Sequence, residues 1–226
     1  MRQLLRKGHP GTGPGTGLPG QSRGSTATAA AVQPGTGFRA TEKPALILLD
    51  VQNGVIDRLE NTDHYLQKVA SVTQAARNAQ VTIIHVVTGF RAGWPECHPR
   101  NPSMSKVKEW GAFRNDHESA QVHPAVSLCE GEPIVTKHRV SAFTSTDLDL
   151  ILRSMGITEV IITGLITSGA VLSTVRSAAD LDYSVTVLED LCMDHDSELH
   201  SVLMDKIFTR QGRVISSEEW LKETCE

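Results

Sequence analysis

The sequence predicts a three-layer α/β/α domain built on a six-stranded, mostly parallel, Rossmann-like sheet. Two observations predict this class. From residue 44 onward, short apolar runs alternate with segments of helical periodicity, and the first run, Ala45-Leu46-Ile47-Leu48-Leu49, is apolar at every position. Parallel strands are buried on both faces and therefore read as continuous apolar runs. Because strands that alternate with helices form βαβ units, helices are expected on both faces of the sheet.

Each element of this fold is predicted from the local periodicity of apolar residues and from the residues that cap or end helices. Thr62 is a possible cap for the first helix, and Gly156 is a typical end for the second. Between them, residues 88–132 show little periodicity, and a connection of that length predicts a lid or binding region. The predicted strands cover residues 45–50, 81–87, 133–135, 160–162, 185–188 and 214–215, and the predicted helices cover residues 62–79, 148–155, 167–181 and 197–208.

Composition separates a tail from the domain. Residues 1–43 are rich in Gly, Pro, Thr, Ser and Ala and contain the triplet GTG three times. Such a segment cannot bury enough apolar surface to offset the entropy of the chain, so it is predicted to be disordered. The remaining residues, 44–226, are predicted to form one domain of ordinary apolar content.

Charge and composition exclude several partners and compartments. Residues 1–41 contain five basic and no acidic side chains, which gives them a charge of +5. Because the whole chain has a net charge of −4, the remaining residues carry −9. A domain this acidic is a poor nucleic-acid binder, because phosphate contacts need clustered Lys and Arg. The sequence contains no run of about eighteen apolar residues, so no membrane span is predicted. Four scattered cysteines favour a reducing compartment, so we predict a cytoplasmic protein, with mitochondria as the alternative suggested by the basic tail.

Three polar features fall where ligands bind in open parallel sheets, beyond the carboxyl ends of strands. Asp50 ends the first strand, Lys137 follows the third, and the turn 164–170 follows the fourth. A buried acid–lysine pair at such an edge can hold a titratable group poised for catalysis. The alternative is a structural ion pair or a helix cap.

The motifs at these three places resemble those of the isochorismatase-like, or cysteine hydrolase, superfamily. They are Leu48-Leu49-Asp50-Val51-Gln52-Asn53, Lys137-His138-Arg139-Val140-Ser141-Ala142-Phe143 and Gly164-Leu165-Ile166-Thr167-Ser168-Gly169-Ala170-Val171. The similarity covers residues 44 to about 220. It implies an isochorismatase-like hydrolase fold, with Asp50 as general acid/base, Lys137 as its partner, and backbone N–H groups of Ile166 and Ala170 as the oxyanion hole.

The chain departs from the superfamily at Ala170, where the cysteine nucleophile is expected. Alanine has no nucleophilic atom, so the thioester route of amide hydrolysis is closed. Cys192 follows the fifth strand and could approach the same edge, but it is better interpreted as a small buried hydrophobe. True isochorismatases also lack the cysteine, and their vinyl-ether cleavage resembles acid-catalysed hydration. Asp50 could supply the proton for that reaction.

Other side chains are candidates for contact with a small-molecule substrate. Arg91 could bind a carboxylate, although a solvated loop arginine is an equal alternative. Aromatic residues of the loop could line a pocket or lie in the core, and a subunit interface is favoured for Trp110. Thr167 and Ser168 are alternatively helix caps. The predicted substrate-binding set is Gln52, Arg91, Trp94, Phe143, Thr167 and Ser168.

No metal and no cofactor are expected. The metal-binding branch of the superfamily carries an Asp-x-His motif with further histidines, and no such constellation follows residue 50; His117, His123 and His195 are scattered. The resemblance implies a homo-oligomer, a dimer or tetramer.

Three hypotheses for function remain open at this point. The first is an enzyme that uses Asp50 and Lys137 without a nucleophile, for example on an isochorismate-type vinyl ether. The second is a catalytically inactive pseudoenzyme that binds a small ligand or a protein partner. The third is a cysteine amidohydrolase whose nucleophile at position 170 has been removed by mutation or engineering.

Overall fold

The computed structural model describes residues 43–224, and the predicted disordered segment 1–43 lies outside them except for Lys43. Lys43 donates from its backbone N–H to Thr158 Oγ1 at 3.1 Å and from Nζ to Met155 O at 2.7 Å. Its backbone oxygen also accepts from the N–H groups of Thr158 at 3.1 Å and Glu159 at 3.4 Å, so this residue is tied to the domain from both sides of its peptide backbone. No helix within residues 43–224 has both the length and the apolar character needed to cross a bilayer.

Six strands within residues 43–224 form a single sheet, and the predicted fold class is confirmed. Their bounds are β1 (Pro44–Leu49), β2 (Thr82–Thr88), β3 (Ile134–Lys137), β4 (Glu159–Leu165), β5 (Ser184–Met193) and β6 (Arg213–Ile215). The spatial order is β3-β2-β1-β4-β5-β6, and each neighbouring pair is parallel. The sheet is thus wholly rather than mostly parallel, and β1 and β4 lie at its centre.

Seven α-helices cover the sheet and its edges within the described residues. They are α1 (Asn53–Ile56), α2 (Thr62–Asn78), α3 (Pro102–Glu109), α4 (Leu148–Ser154), α5 (Leu172–Asp180), α6 (Ser197–Val202) and α7 (Ser217–Thr224). The sequence patterns did not predict α1, α3 or α7. The predicted helix 167–181 begins with a π-helical turn, Thr167–Val171, and the predicted helix 197–208 changes from α-helical to π-helical at Leu203. Gly156 follows α4 with φ +67, as its predicted role as a helix end requires.

The alternation of side chains along β1 divides the core into two layers. Ile47 and Leu49 pack with Val175 of α5 and Leu152 of α4 on one face. Leu48 packs with α2 on the other face. Successive side chains of a strand point to opposite faces, so a strand buried on both sides needs apolar residues throughout. This is the physical reason for the continuous apolar run in the sequence.

The long connection after β2 has a small core of its own. Phe90, Cys97, Met104, Val107, Ala112 and Phe113 are buried together, separately from the two layers on the sheet. Their spacing has no single period, because the segment combines one short helix with turns. The predicted lid or binding region is therefore a folded subdomain above the carboxyl ends of β2 and β3, and not an open loop.

A partly buried ionic cluster fixes the chain just before β3. Glu132 accepts hydrogen bonds from Arg77 Nε at 2.6 Å and Nη2 at 3.0 Å, and it lies 2.9 Å from His85 Nε2. Burial alone would raise the pKa of Glu132, but the hydrogen bonds from Arg77 and His85 outweigh it and lower the pKa to about 2. This cluster ties α2 and β2 to the segment that leads into β3.

Glu132→Gln is expected to lower the free energy of unfolding by about 3 kcal/mol at pH 7, because a carboxyl whose pKa falls from 4.5 to about 2 favours the folded state by that amount. The native contribution is complete above pH 4.5 and disappears as the pH falls toward 2. Urea unfolding of the native and Glu132→Gln chains at pH 7 and pH 3 measures it. The gap between the two chains should narrow at pH 3, and an unchanged gap would contradict the assignment.

Candidate active site

Three side chains from the ends of neighbouring strands meet at the carboxyl edge of the sheet. Lys137 Nζ lies 2.9 Å from Asp50 Oδ2 and donates to Thr88 Oγ1 at 2.7 Å. Thr88 Oγ1 in turn donates to Asp50 Oδ1 at 3.0 Å. Thr88 and Lys137 are register partners in the β2–β3 ladder, and Asp50 directly follows β1. Both charged groups are buried, with Asp50 5% and Lys137 3% exposed.

Thr88 completes this cluster, and sequence reasoning missed it. Its hydroxyl group accepts from the lysine and donates to the carboxylate, so all three groups form one closed network. A threonine at the end of an apolar strand is common, and its neighbours across the sheet cannot be read from the sequence. The usable signal was its position: Thr88, like Asp50, is the first polar residue after an apolar run that ends at the same edge.

The backbone at Asp50 is held in a sparsely populated conformation. Its φ is +55, in the left-handed region, and its N–H donates to Val86 O at 2.8 Å. Such conformations cost on the order of 1 kcal/mol or more and persist only where the surrounding structure enforces them. Here the bond to β2 and the contacts with Lys137 and Thr88 turn the carboxyl group out of the strand direction and into the cluster.

The turn that follows β4 carries the second part of the site. Ile166 has φ +62, an outlier for a β-branched residue, and its carbonyl oxygen accepts from Gly169 N–H at 2.9 Å. The π-helical turn that follows contains Ala170, whose side chain is buried. Single π turns are frequent at functional sites. The predicted oxyanion groups at Ile166 and Ala170 therefore lie in an unusual, enforced backbone, and their role stays a prediction.

Gly164 permits β4 to approach β1 at this place. Its φ is +131, and a Cβ atom there would lie 2.1 Å from Leu49 O. No side chain can be accommodated against a backbone oxygen at that distance. The glycine therefore sets the separation between Asp50, one residue beyond Leu49, and the turn that contains Ala170.

The turn that contains Ala170 is contacted on its other side by two residues that follow β5 in the chain, Asp194 and His200. Asp194 Oδ2 accepts from Ser168 N–H at 2.7 Å, and His200 Nδ1 lies 2.9 Å from Thr167 Oγ1. Thr167 is fully buried, so its hydroxyl group is committed to His200. The structure thus gives both predicted substrate-binding residues of this turn a protein partner. Neither partner was foreseen, since each lies 26 or more residues away in sequence.

The burial of the His200 imidazole can be tested through the pH dependence of stability. Burial lowers the pKa of His200 below 6.5, against the opposing charges of Asp194, Glu189 and Asp205. A lowered histidine pKa means that the folded state loses stability as the pH falls below 6.5, because the unfolded chain binds the proton more readily. Compared with His200→Gln, the native chain should lose melting temperature between pH 8 and pH 5.5. Parallel pH profiles for the two chains would contradict the burial of His200.

Gln52 is buried completely and joins the ends of β1 and β2. Its amide donates to Thr88 O at 3.1 Å and to Ser119 O at 3.0 Å, while its oxygen accepts from Thr88 N–H at 2.6 Å. These bonds use both amide hydrogens. Gln52 therefore fixes the backbone that carries the Thr88 hydroxyl group, and contact with a substrate would require those bonds to break.

The other predicted substrate-binding side chains make contacts elsewhere among the described residues. Arg91 is 68% exposed at its side chain and forms an ion pair with Glu96. The indole of Trp94 donates to Ala112 O at 3.0 Å and packs on the small core above the sheet. Phe143 lies against Tyr183 with ring centroids 5.9 Å apart. None of these contacts joins them to Asp50 or Lys137.

Two further interpretations concern thiols and metal ligands. Burial raises the pKa of the Cys192 thiol to about 12, so this cysteine is a protonated, buried side chain, as its sequence context indicated. His117 and His123 accept hydrogen bonds from backbone N–H groups at the starts of short helical turns. Within residues 43–224, no three His, Cys, Asp or Glu side chains are grouped so as to hold a metal ion. The expectation of a metal-free site stays a prediction.

Residues 44–219 match the Isochorismatase domain family, and the chain belongs to this family. The uncharacterized isochorismatase family protein YwoC of Bacillus subtilis is 27% identical over 182 residues, which are 80% of this chain and 94% of that protein. The secreted isochorismatase effector Isc1 of Verticillium dahliae is 25% identical over 80% of this chain and 91% of its own length. The ureidoacrylate amidohydrolase RutB of Klebsiella pneumoniae is 30% identical over 67% and 73%, respectively.

Solved structures show the same architecture. An isochorismatase family protein from Burkholderia thailandensis superimposes with a TM-score of 0.71 at 26% identity, covering 81% of this chain and 96% of its own. The family assignment and the fold therefore agree along nearly all of the described residues.

Proposed function

We propose that this protein is a hydrolase of the isochorismatase family that acts without a nucleophilic side chain, on an isochorismate-type vinyl ether. The observation that carries the proposal is the contrast between two parts of one site. The Asp50–Thr88–Lys137 cluster is complete and buried, whereas position 170 holds a methyl group. The acid–lysine pair is thus retained where a nucleophile is missing.

The chemistry needs only a proton donor and water. Once the Asp50 carboxylate has taken up a proton, it delivers that proton to the terminal carbon of the vinyl ether, and the C=C electron pair forms the new C–H bond. The carbon next to the ether oxygen becomes an oxocarbenium ion, and water adds to it while a proton returns to the Asp50 carboxylate. The resulting hemiketal breaks its C–O bond to give a ketone and an alcohol. General acid catalysis of this kind contributes about 10²- to 10⁴-fold in rate.

The residues around the turn that contains Ala170 favour a reaction with a positively charged transition state over one with an oxyanion intermediate. The Asp194 carboxyl group accepts the Ser168 N–H at 2.7 Å, close to the start of the helix that contains Ala170. A carboxylate there offsets the positive end of the helix, which would otherwise stabilise a tetrahedral oxyanion. The same negative charge favours a transition state that develops positive charge.

The names of the relatives are consistent with hydrolysis but differ in substrate. One relative is called an isochorismatase effector and another an amidohydrolase of ureidoacrylate. Because the amide route needs a nucleophile that Ala170 does not provide, the vinyl ether is the better-supported substrate for this chain.

A pseudoenzyme is the second candidate, and one observation favours it. Both members of the acid–lysine pair are at least 95% buried and bonded to each other, as expected for a structural ion pair. In that case the chain would keep the fold for binding a ligand or partner.

The test is turnover of isochorismate and of ureidoacrylate by the native chain and by Ala170→Cys. We expect the native chain to hydrolyse isochorismate and to leave the amide intact. Amide hydrolysis confined to Ala170→Cys, with no native turnover of isochorismate, would overturn the proposal in favour of a disarmed cysteine hydrolase. Ala170→Gly is the matched control, since it also lacks a nucleophile and should retain turnover of the vinyl ether.

A further inference from the structure

Arg139 is partly buried in surroundings that do not neutralise its charge. Its side chain is partly buried, and Nη1 donates to two backbone carbonyl oxygens, His138 O at 2.6 Å and Glu96 O at 3.2 Å. Within residues 43–224, no carboxylate forms an ion pair with this guanidinium group. A partly buried positive charge without an acidic partner costs free energy unless a ligand supplies the negative charge.

Arg91 provides the contrast within the same subdomain. Its guanidinium group is mostly exposed and is paired with the Glu96 carboxylate. The Glu96 carboxyl group therefore compensates Arg91, while Arg139 contacts only the backbone oxygen of that residue. Of the two arginines, Arg139 is the one whose positive charge is not paired with a carboxylate among the described residues.

Arg139 lies two residues beyond Lys137, past the carboxyl end of β3. Lys137 pairs with Thr88 in the sheet, and in the next row His138 Nδ1 donates to Gly89 O at 2.6 Å. Arg139 follows immediately and reaches the Glu96 backbone in the segment after β2. The chain thus continues from the cluster outward beyond the carboxyl ends of the strands, which is where open parallel sheets bind their ligands.

We propose that Arg139 is the specificity-determining residue that binds a carboxylate of the substrate. Its guanidinium group keeps Nε and Nη2 for a bidentate pair with a carboxylate, in addition to the Nη1 bonds that fix its plane. This assignment rests on the proposed function for the reaction itself, because the proposed substrate is a vinyl ether that carries a carboxylate. The substrate class is a small carboxylate-bearing enol ether.

The test compares two arginines in a background that cannot consume the ligand. Calorimetric binding of isochorismate is measured with Asp50→Asn alone and with Arg139→Gln or Arg91→Gln added. We expect Arg139→Gln to weaken binding by about 10- to 100-fold, as the loss of a charged hydrogen-bond pair does, and Arg91→Gln to change it by less than about 2-fold. Arg139→Lys keeps the charge but not the fork, so intermediate binding is expected, and it replaces Arg139→Gln if that variant does not fold.

Equal weakening by both glutamine variants, a larger effect of Arg91→Gln, or no binding of isochorismate would overturn the assignment. The outcome is separate from that of the proposed function. A native chain that binds isochorismate through Arg139 but does not convert it would refute the reaction and retain the binding residue.

Discussion

Asp50→Asn is expected to lower kcat for isochorismate by about 10²- to 10⁴-fold, which is the contribution of a positioned general acid. Asparagine keeps the shape of the side chain and a hydrogen-bond acceptor for Thr88, but it cannot donate a proton to carbon. Steady-state kinetics at saturating substrate measure the effect. KM should change much less than kcat, because the lost interaction exists only in the transition state.

Asp190→Asn is the matched control for this prediction. Asp190 Oδ2 lies 2.5 Å from Lys68 Nζ and accepts from Ser217, so it is also an aspartate paired with a lysine on the same fold. It contacts α2 and α7 and not the Asp50 cluster. We expect Asp190→Asn to leave kcat within about 2-fold of native. A similar loss of kcat in both variants would mean that the effect of Asp50 comes from altered folding.

Lys137→Met is expected to lower the free energy of unfolding by about 3–5 kcal/mol at pH 7, because it leaves the buried Asp50 charge without its partner. Lys137 Nζ contacts both Asp50 and Thr88, and the two charged groups are nearly inaccessible to water. Methionine fills a similar volume, so the loss reports the charge and not a cavity. Chemical unfolding monitored by circular dichroism gives the value.

Lys68→Met provides the comparison with a more exposed pair, since the side chains of Lys68 and Asp190 are 35% and 21% exposed. Ion pairs of that kind contribute about 0–1 kcal/mol. The double variant Asp50→Asn/Lys137→Met should recover much of the loss, because both buried charges are then removed together. Equal losses in Lys137→Met and Lys68→Met would contradict the buried character of the Asp50 pair.

The sequence predicted the sheet well because its signal is local. The apolar runs of β1 and β2 and the glycine after α4 are each sufficient to place an element. The prediction made β5 too short, because polar residues interrupt its apolar run after Leu188. The strand continues to Met193, since Glu189 is exposed and Asp190 is paired with Lys68 and Ser217. Neither reason can be read from the strand itself.

The candidate site was only partly predictable for the same reason. Asp50 and Lys137 were found because strand ends meet at one edge of a parallel sheet. Thr88 and His200 were not found, because their roles depend on which side chains face them across the fold. The different environments of Arg91 and Arg139 likewise follow from which of them reaches the Glu96 carboxylate, and that depends on the folded path of residues 89–113.

The most direct test of the account is the rate of keto-acid release from isochorismate by the native chain in H₂O and in D₂O, measured beside Asp50→Asn. If Asp50 transfers a proton to carbon in the transition state, the native chain releases the keto acid, and it does so more slowly in D₂O. Release that Asp50→Asn leaves intact, or no release above buffer by a folded native chain, would contradict the claim that this protein is a hydrolase without a nucleophile.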